Sequence, residues 1–332
     1  MKVHIKNRVR REDEFQFFMH DFVDACIAND FSSVSDFFPS YKYHIRSLLK
    51  RVELLLYNRF PPKTSPQKAL IVTANGGTIA ENYFPYFFNY ELIPMLWDVW
   101  PSTWLQMQHD FQRFKVRTVL VTVREVAEMI NSEMHGIKAL WVPEGIKTSL
   151  YHKGEELQSR PFDILELGRQ MKPYHQMLER LNREGKLEGW TTSFVTRDGR
   201  VQKERLTFPD NETLYRQLPK YKLMVCFPQC DTNPFRAGHI ETLTQRYWEA
   251  MLSGCLMIGR APQELIDFIG YNPTIDVDWK NADKQLIEIL SNISSYQKLI
   301  DKNYSIARTL ASWDSRINHI KGFLTSNGYE LS

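Results

Sequence analysis

The sequence predicts an α/β protein of two Rossmann-like, doubly wound domains, with extra helices at its start and its end. Three observations predict it. Short, continuously apolar runs alternate with helix-period stretches, which is how parallel strands covered on both faces read. The alternation runs to about residue 143, breaks at the polar stretch "EGIKTSLYHKGEELQSR" (144–160), and begins again at 162. The chain has 332 residues, more than one ordinary core takes and close to two average domains. The expected division is 1–150, 151–310 and a final helix, 311–332, returning to the first domain.

The elements follow in order. The first sixty residues read as helical, with apolar spacing in "EFQFFMHDFVDACI" and "YHIRSLLKRVELLLYN", before "PPKTSPQK" breaks the pattern. "ALIVTA" (69–74) is a strand ending in Asn75-Gly76-Gly77. "ELIPMLWD" (91–98), "TVLVTV" (118–123) and "IKALWVP" (137–143) are strands, and "REVAEMINSEM" is a helix. In the second half "FDILEL" (162–167), "WTTSFV", "YKLMVCFP", "CLMIG" and "TIDVD" are strands. "KPYHQMLERLNREG" and part of "APQELIDFIG" are helices, and 281–325 is helical.

Composition excludes several classes. A net charge of +3 gives no polybasic field for nucleic acid. No apolar run reaches the ~20 residues of a membrane span. The first thirty residues are charged and lack a signal-peptide core, so the expected location is the cytoplasm. The basic cluster "KNRVRRE" suits either a solvated helix start or peripheral contact with the inner membrane face. Cys26, Cys226, Cys230 and Cys255 read as free thiols in a reducing compartment, without zinc-ligand spacing.

Chemistry concentrates in "ETLTQRYWEAMLSGC" (241–255). A strand ends near Pro228, a loop follows, and a short helix starts near Thr242 or Thr244 and stops at Gly254. Its N-terminus faces the carboxyl edge of a parallel sheet, where ligands of such sheets bind. Helix N–H groups, the dipole and Arg246 in the first turn suit a phosphate. Glu241 and Glu249, about 12 Å apart along an ideal helix, suit the hydroxyl groups on either side of a diphosphate. The set therefore points to a nucleotide-sugar. The same residues also read as a helix acid, a loop acid and a surface ion pair.

The stretch Glu241-x7-Glu249-Ala-Met-Leu-Ser-Gly254, with "APQEL" beyond it, resembles the E-x7-E signature of GT-B glycosyltransferases. "RYWEAMLSGC" is similar to a bacterial polysaccharide and spore-maturation-type subgroup. The resemblance implies a GT-B fold and transfer of a sugar from a nucleotide-diphosphate donor to a hydroxyl of a glycan or lipid-linked acceptor, as in surface polysaccharide synthesis. It implies Glu249 on the ribose, Glu241 on the donor sugar and Arg246 at the pyrophosphate. "FDILELGRQMKPYH" is similar to the family's first donor-domain strand, which implies Arg169 and Lys172 on donor phosphate. It implies no cofactor and no metal. Where the family has a glycine-rich loop after the first acid, this chain has Thr242-Leu243-Thr244. That departure keeps open a non-catalytic scaffold in a polysaccharide-synthesis complex.

Other candidates surround the motif. Gly76 and Gly77 would let backbone approach a ligand, or simply make a tight turn. Asp98 is a candidate general base, or a cap for "PSTW". His239, in the donor loop, is preferred to His109 and to His175, which reads as a surface helix residue. Asp276 and Asp278 read as caps for the following helix rather than as a metal pair.

Overall fold

A computed structural model describes residues 1–7, 17–35, 66–79, 86–193 and 207–331, with single positions 48, 51, 52, 55, 59 and 83. The chain packs as two compact units, Met1–Ile146 with Trp313–Ser332, and Lys147–Ser312. The expected helix over "YHIRSLLKRVELLLYN" and the break after it lie almost wholly outside the described residues. Among the described residues no helix is long and apolar enough to cross a membrane.

The first unit is built on a six-stranded parallel sheet. Its strands are β1 (Lys2–Lys6), β2 (Ser32–Val34), β3 (Lys68–Asn75), β4 (Glu91–Trp97), β5 (Thr118–Val121) and β6 (Lys138–Trp141), in the order β2-β1-β3-β4-β5-β6. The β3–β4 ladder runs in register from Ala69 opposite Glu91 to Asn75 opposite Trp97. Both strands are buried along almost their whole length, on both faces, as strands of a two-sided parallel sheet are. Among the described residues of the unit's first segment the helices are α1 (Phe17–Ala28), α2 (Trp104–Arg113) and α3 (Arg124–Glu133).

The first sixty residues are thus not wholly helical. Lys2–Lys6 is an inner strand and Ser32–Val34 an edge strand. Only Val3 and Ile5 of "KVHIK" are apolar, and both are fully buried. Two apolar positions carry too little period for a strand to show, and pairing with β3 decides the matter.

The helix Asp314–Ser326, near the end of the chain, completes this unit's core. The Phe22 ring lies edge-on to Trp97 at 5.7 Å and to Trp313 at 5.2 Å. Ile317, Ile320 and Leu324 fill the same core.

The second unit has a five-stranded parallel sheet. It comprises β7 (Phe162–Glu166), β8 (Trp190–Thr192), β9 (Tyr221–Cys226), β10 (Leu256–Gly259) and β11 (Thr274–Asp276), in the order β11-β10-β9-β7-β8. Its helices among the described residues are α4 (Lys172–Arg183), α5 (Asn211–Gln217), α6 (Gln229–Thr232), α7 (Pro234–Ala237), α8 (Gln245–Leu252), α9 (Gln263–Ile269), α10 (Ala282–Ser291) and α11 (Gln297–Leu310). The chain leaves β7 to one side to make β8, then crosses to the other side for β9. The strand order therefore reverses between β7 and β9, and the crevice at their carboxyl ends is where such sheets bind ligands.

Candidate functional site

At this reversal β7 ends in Glu166, and the chain turns sharply at Gly168, whose φ of +80° suits glycine. Facing the turn is α8. Its N-cap is Thr244, extended at φ −110° and ψ 161°, with no capping bond from its own side chain. At the other end the helix closes with a Schellman motif: Cys255 N donates to Ala250 O at 2.9 Å and Gly254 N to Met251 O at 3.2 Å. Tyr247, Trp248, Met251 and Leu252 bury one wall of the helix. That burial fixes which way Arg246 and Glu249 point.

Arg246 reaches the β7 turn. A Cβ placed on Gly168 would lie 3.7 Å from Arg246 Nη2. Its Nη1 lies 3.1 Å from Glu249 Oε2, an ion contact out of line for a hydrogen bond. Glu249 is only 4% exposed, and its Oε1 accepts from the Tyr151 hydroxyl at 3.3 Å. Burial, and then the Glu249 charge, push the Tyr151 phenol well above its usual range, so it stays a proton donor. The structure thus brings Arg246, Glu249 and the Gly168 turn together, one cation and one acid against backbone.

Both carboxylate oxygens of Glu241 are engaged within the protein. Its Oε1 accepts from Arg260 Nη1, and its Oε2 from the Gln263 N–H at 2.6 Å. Gln263 is the first residue of α9, so Glu241 caps that helix. Arg260 also grips Asp231 with two bonds, Nε to Oδ2 at 2.7 Å and Nη2 to Oδ1 at 2.8 Å. These carboxylates raise the Arg260 pKa further, and it stays charged. In return Glu264 of "PQEL" accepts from the Leu243 N–H. The 241–244 loop and the start of α9 therefore clip each other from both sides.

The remaining candidates fall as follows. Arg169 is exposed just past the turn, and Lys172 is the exposed first residue of α4. His175 is not a free surface histidine: its Nδ1 is 2.6 Å from Glu166 Oε2, and Glu166 is 1% exposed. His239 is exposed in the loop before α8. Asp278 closes a turn by accepting from Lys280 N at 3.0 Å and Asn281 Nδ2 at 3.1 Å, while Asp276 accepts from Asn272. In the first unit, Gly76 and Gly77 follow β3 in a turn, and a Cβ on Gly76 would lie 3.0 Å from both Val99 Cα and Thr103 Oγ1. Close packing explains that glycine. Asp98 follows β4 with φ +48°. The turn Pro101–Thr103 beyond it starts at Trp100, whose own side chain makes no capping bond. His109 is exposed on α2.

Sequence reasoning missed Tyr151, Glu166, Asp231 and Arg260, each of which meets its partner from another element. Glu264 was visible only as part of "APQEL".

No family model and no curated protein matches this chain. Solved structures do. Sucrose-phosphate synthase from Thermosynechococcus elongatus aligns with a TM-score of 0.60 at 11% identity, covering 98% of this chain and 99% of that one. Alr3699/HepE of Anabaena, solved in complex with UDP and glucose, aligns with a TM-score of 0.58 at 9% identity, covering 98% and 100%. AviGT4, a glycosyltransferase involved in avilamycin A biosynthesis, aligns with a TM-score of 0.54 at 12% identity, covering 99% and 98%. At such identities the likeness shows the fold: two parallel sheets with flanking helices, as in GT-B glycosyltransferases.

Proposed function

We propose that the protein is a glycosyltransferase that moves a sugar from a nucleotide-diphosphate donor to a hydroxyl of a glycan or lipid-linked acceptor. The observation that carries this is Arg246, held beside Glu249 and reaching the Gly168 turn at the strand-order reversal. The start of α8 and the Arg246 guanidinium neutralise the diphosphate as it departs. Arg169 and Lys172, on the same edge, add positive charge. Glu249, already anchored by Tyr151, accepts the ribose hydroxyls with its remaining lone pairs. Glu241 shapes the Thr242–Thr244 loop under the donor sugar. The Anabaena protein's complex with UDP and glucose supports this reading. We assign Asp98 and His239 as the candidate bases. The base is the one whose Asn or Gln variant lowers kcat by about 10²-fold or more.

The test is thermal unfolding of the full chain with UDP-, GDP- and dTDP-sugars. At 100 times Kd one nucleotide class should raise the unfolding temperature by about 5–10 °C. Arg246→Ala and Glu249→Gln should abolish most of that rise while remaining folded. No rise with any nucleotide would end the proposal. The engagement of both Glu241 oxygens favours a second reading, a protein that holds donor without turning it over. Calorimetric binding with neither transfer nor slow donor hydrolysis would select it.

A further inference from the structure

A second feature of the same unit has different chemistry. A cavity of about 390 Å³ opens at the carboxyl ends of β10 and β11, within the size range of small-molecule sites. Its apolar walls are Met171, Phe227 and Trp279, and its polar groups are Asp231, Arg260 and Asp276. Arg246, Glu249 and the Gly168 turn are not part of it.

The lining excludes an anion. Among the described residues Arg260 is the one cation in the wall, and four of the five guanidinium N–H groups that arginine has are already committed, three to Asp231 and Glu241 and one to Cys230 Sγ at 3.3 Å. Two lining carboxylates outweigh it, so a phosphate would meet repulsion. The aromatic side is built for a flat face. Phe227 and Trp279 lie 6.0 Å apart with their planes only 30° from each other. Tyr174 stands edge-on behind both, at 5.9 and 6.4 Å. Trp279 is nonetheless 52% exposed, an indole held in place and left open. Among the described residues the Asp276 side chain accepts only from Asn272, at 3.1 and 3.2 Å, and keeps lone pairs for further donors.

A held aromatic face beside acceptor-only carboxylates matches an uncharged polyhydroxyl ring. The polarised C–H groups of such a ring approach the negative aromatic face, while its hydroxyls donate to carboxylates. We propose that this cavity binds a neutral pyranose ring, stacked on Trp279 and hydrogen-bonded through Asp276 and Asp231. The ring comes either from the donor's glycosyl group or from a saccharide acceptor. This deepens the transferase reading, yet it stands on its own cavity, so saccharides without a nucleotide test it separately.

The experiment is saturation-transfer NMR on the full chain with glucose, galactose, mannose, N-acetylglucosamine, maltose, UDP-glucose and GDP-mannose. Calorimetry with UDP and GDP runs in parallel, on wild type, Trp279→Ala and Asp276→Asn. Both positions are open to solvent, and unfolding midpoints check that both variants fold. The expected result is saturation of sugar-ring protons in wild type and at least tenfold weaker binding in both variants, with UDP and GDP affinities unchanged. Loss confined to nucleotide sugars assigns the ring to the donor, and loss confined to free saccharides assigns it to the acceptor. Saccharide binding that depends on Trp279, in a protein that binds no nucleotide, upholds the pocket and removes the transferase reading. Folded variants that bind every probe as wild type does, or a wild type whose saturation reaches no sugar ring, overturn the proposal.

Discussion

Glu166 closes β7 with a carboxylate almost wholly removed from water. Its Oε2 accepts from Thr192 Oγ1 at 2.8 Å and meets His175 Nδ1 at 2.6 Å, while Oε1 is buried without a hydrogen bond. The bond to Glu166, followed by the charges of Glu166 and Glu179, raises the His175 pKa against the opposing effect of burial. Because the folded pKa lies above the unfolded one, the contribution is complete below about pH 6.5 and is lost as pH rises through the raised value. Unfolding temperatures of wild type and His175→Gln should therefore differ most near pH 6 and converge in alkaline buffer. A gap that ignores pH would contradict this. Arg260 makes a second prediction. Arg260→Met leaves Asp231 and Glu241 without the cation they share. Since the group is partly exposed, the loss should be about 1–2 kcal/mol in urea unfolding.

The helix α8 rests on its last turn as much as on its first. Gly254, at φ +64°, makes the Schellman closure, and a Cβ there would lie 2.9 Å from the buried Arg160 Nη2. Gly254→Ala should cost about 2–3 kcal/mol, read as a lower denaturant midpoint with an unchanged slope. This stop was legible in the sequence, as were the strands "ALIVTA", "FDILEL" and "YKLMVCFP", because continuous apolar runs have few other uses. β1 and β2 were not legible: alternating Lys2, Val3, His4, Ile5 looks like a charged helix start until β3 pairs with it. In the site, the residues of α8 could be read along the chain. Their partners could not, because Tyr151 meets Glu249 from 98 residues away and nothing local announces it. Glu241 shows the same limit, since its attachment to Arg260 and the Gln263 N–H depends on where β10 ends.

The two units differ in how the chain enters them. The second is one continuous segment, whereas the first is assembled from two pieces. Val3 N donates to Glu330 O at 2.9 Å, Glu330 N donates to Met1 O at 2.8 Å, and the Tyr329 hydroxyl meets Thr118 Oγ1 at 2.9 Å. Trp313, Ile317, Ile320, Leu324 and Tyr329 are each at most 4% exposed. At about 1.5–3 kcal/mol per buried large side chain, removing five of them cancels the ~5–15 kcal/mol by which a domain is stable. A chain ending at Ser312 should lose amide-exchange protection throughout β1–β6 while β7–β11 stay protected. Equal loss in both would refute the division. On the ribosome the same arrangement sets an order of events. The opening strands emerge early but stay without their final wall until everything up to Tyr329 has been synthesised, so the later-made segment can finish folding first. Nascent chains that stall before Trp313 would present an open, greasy sheet face, and those chains are the ones chaperones would have to shield.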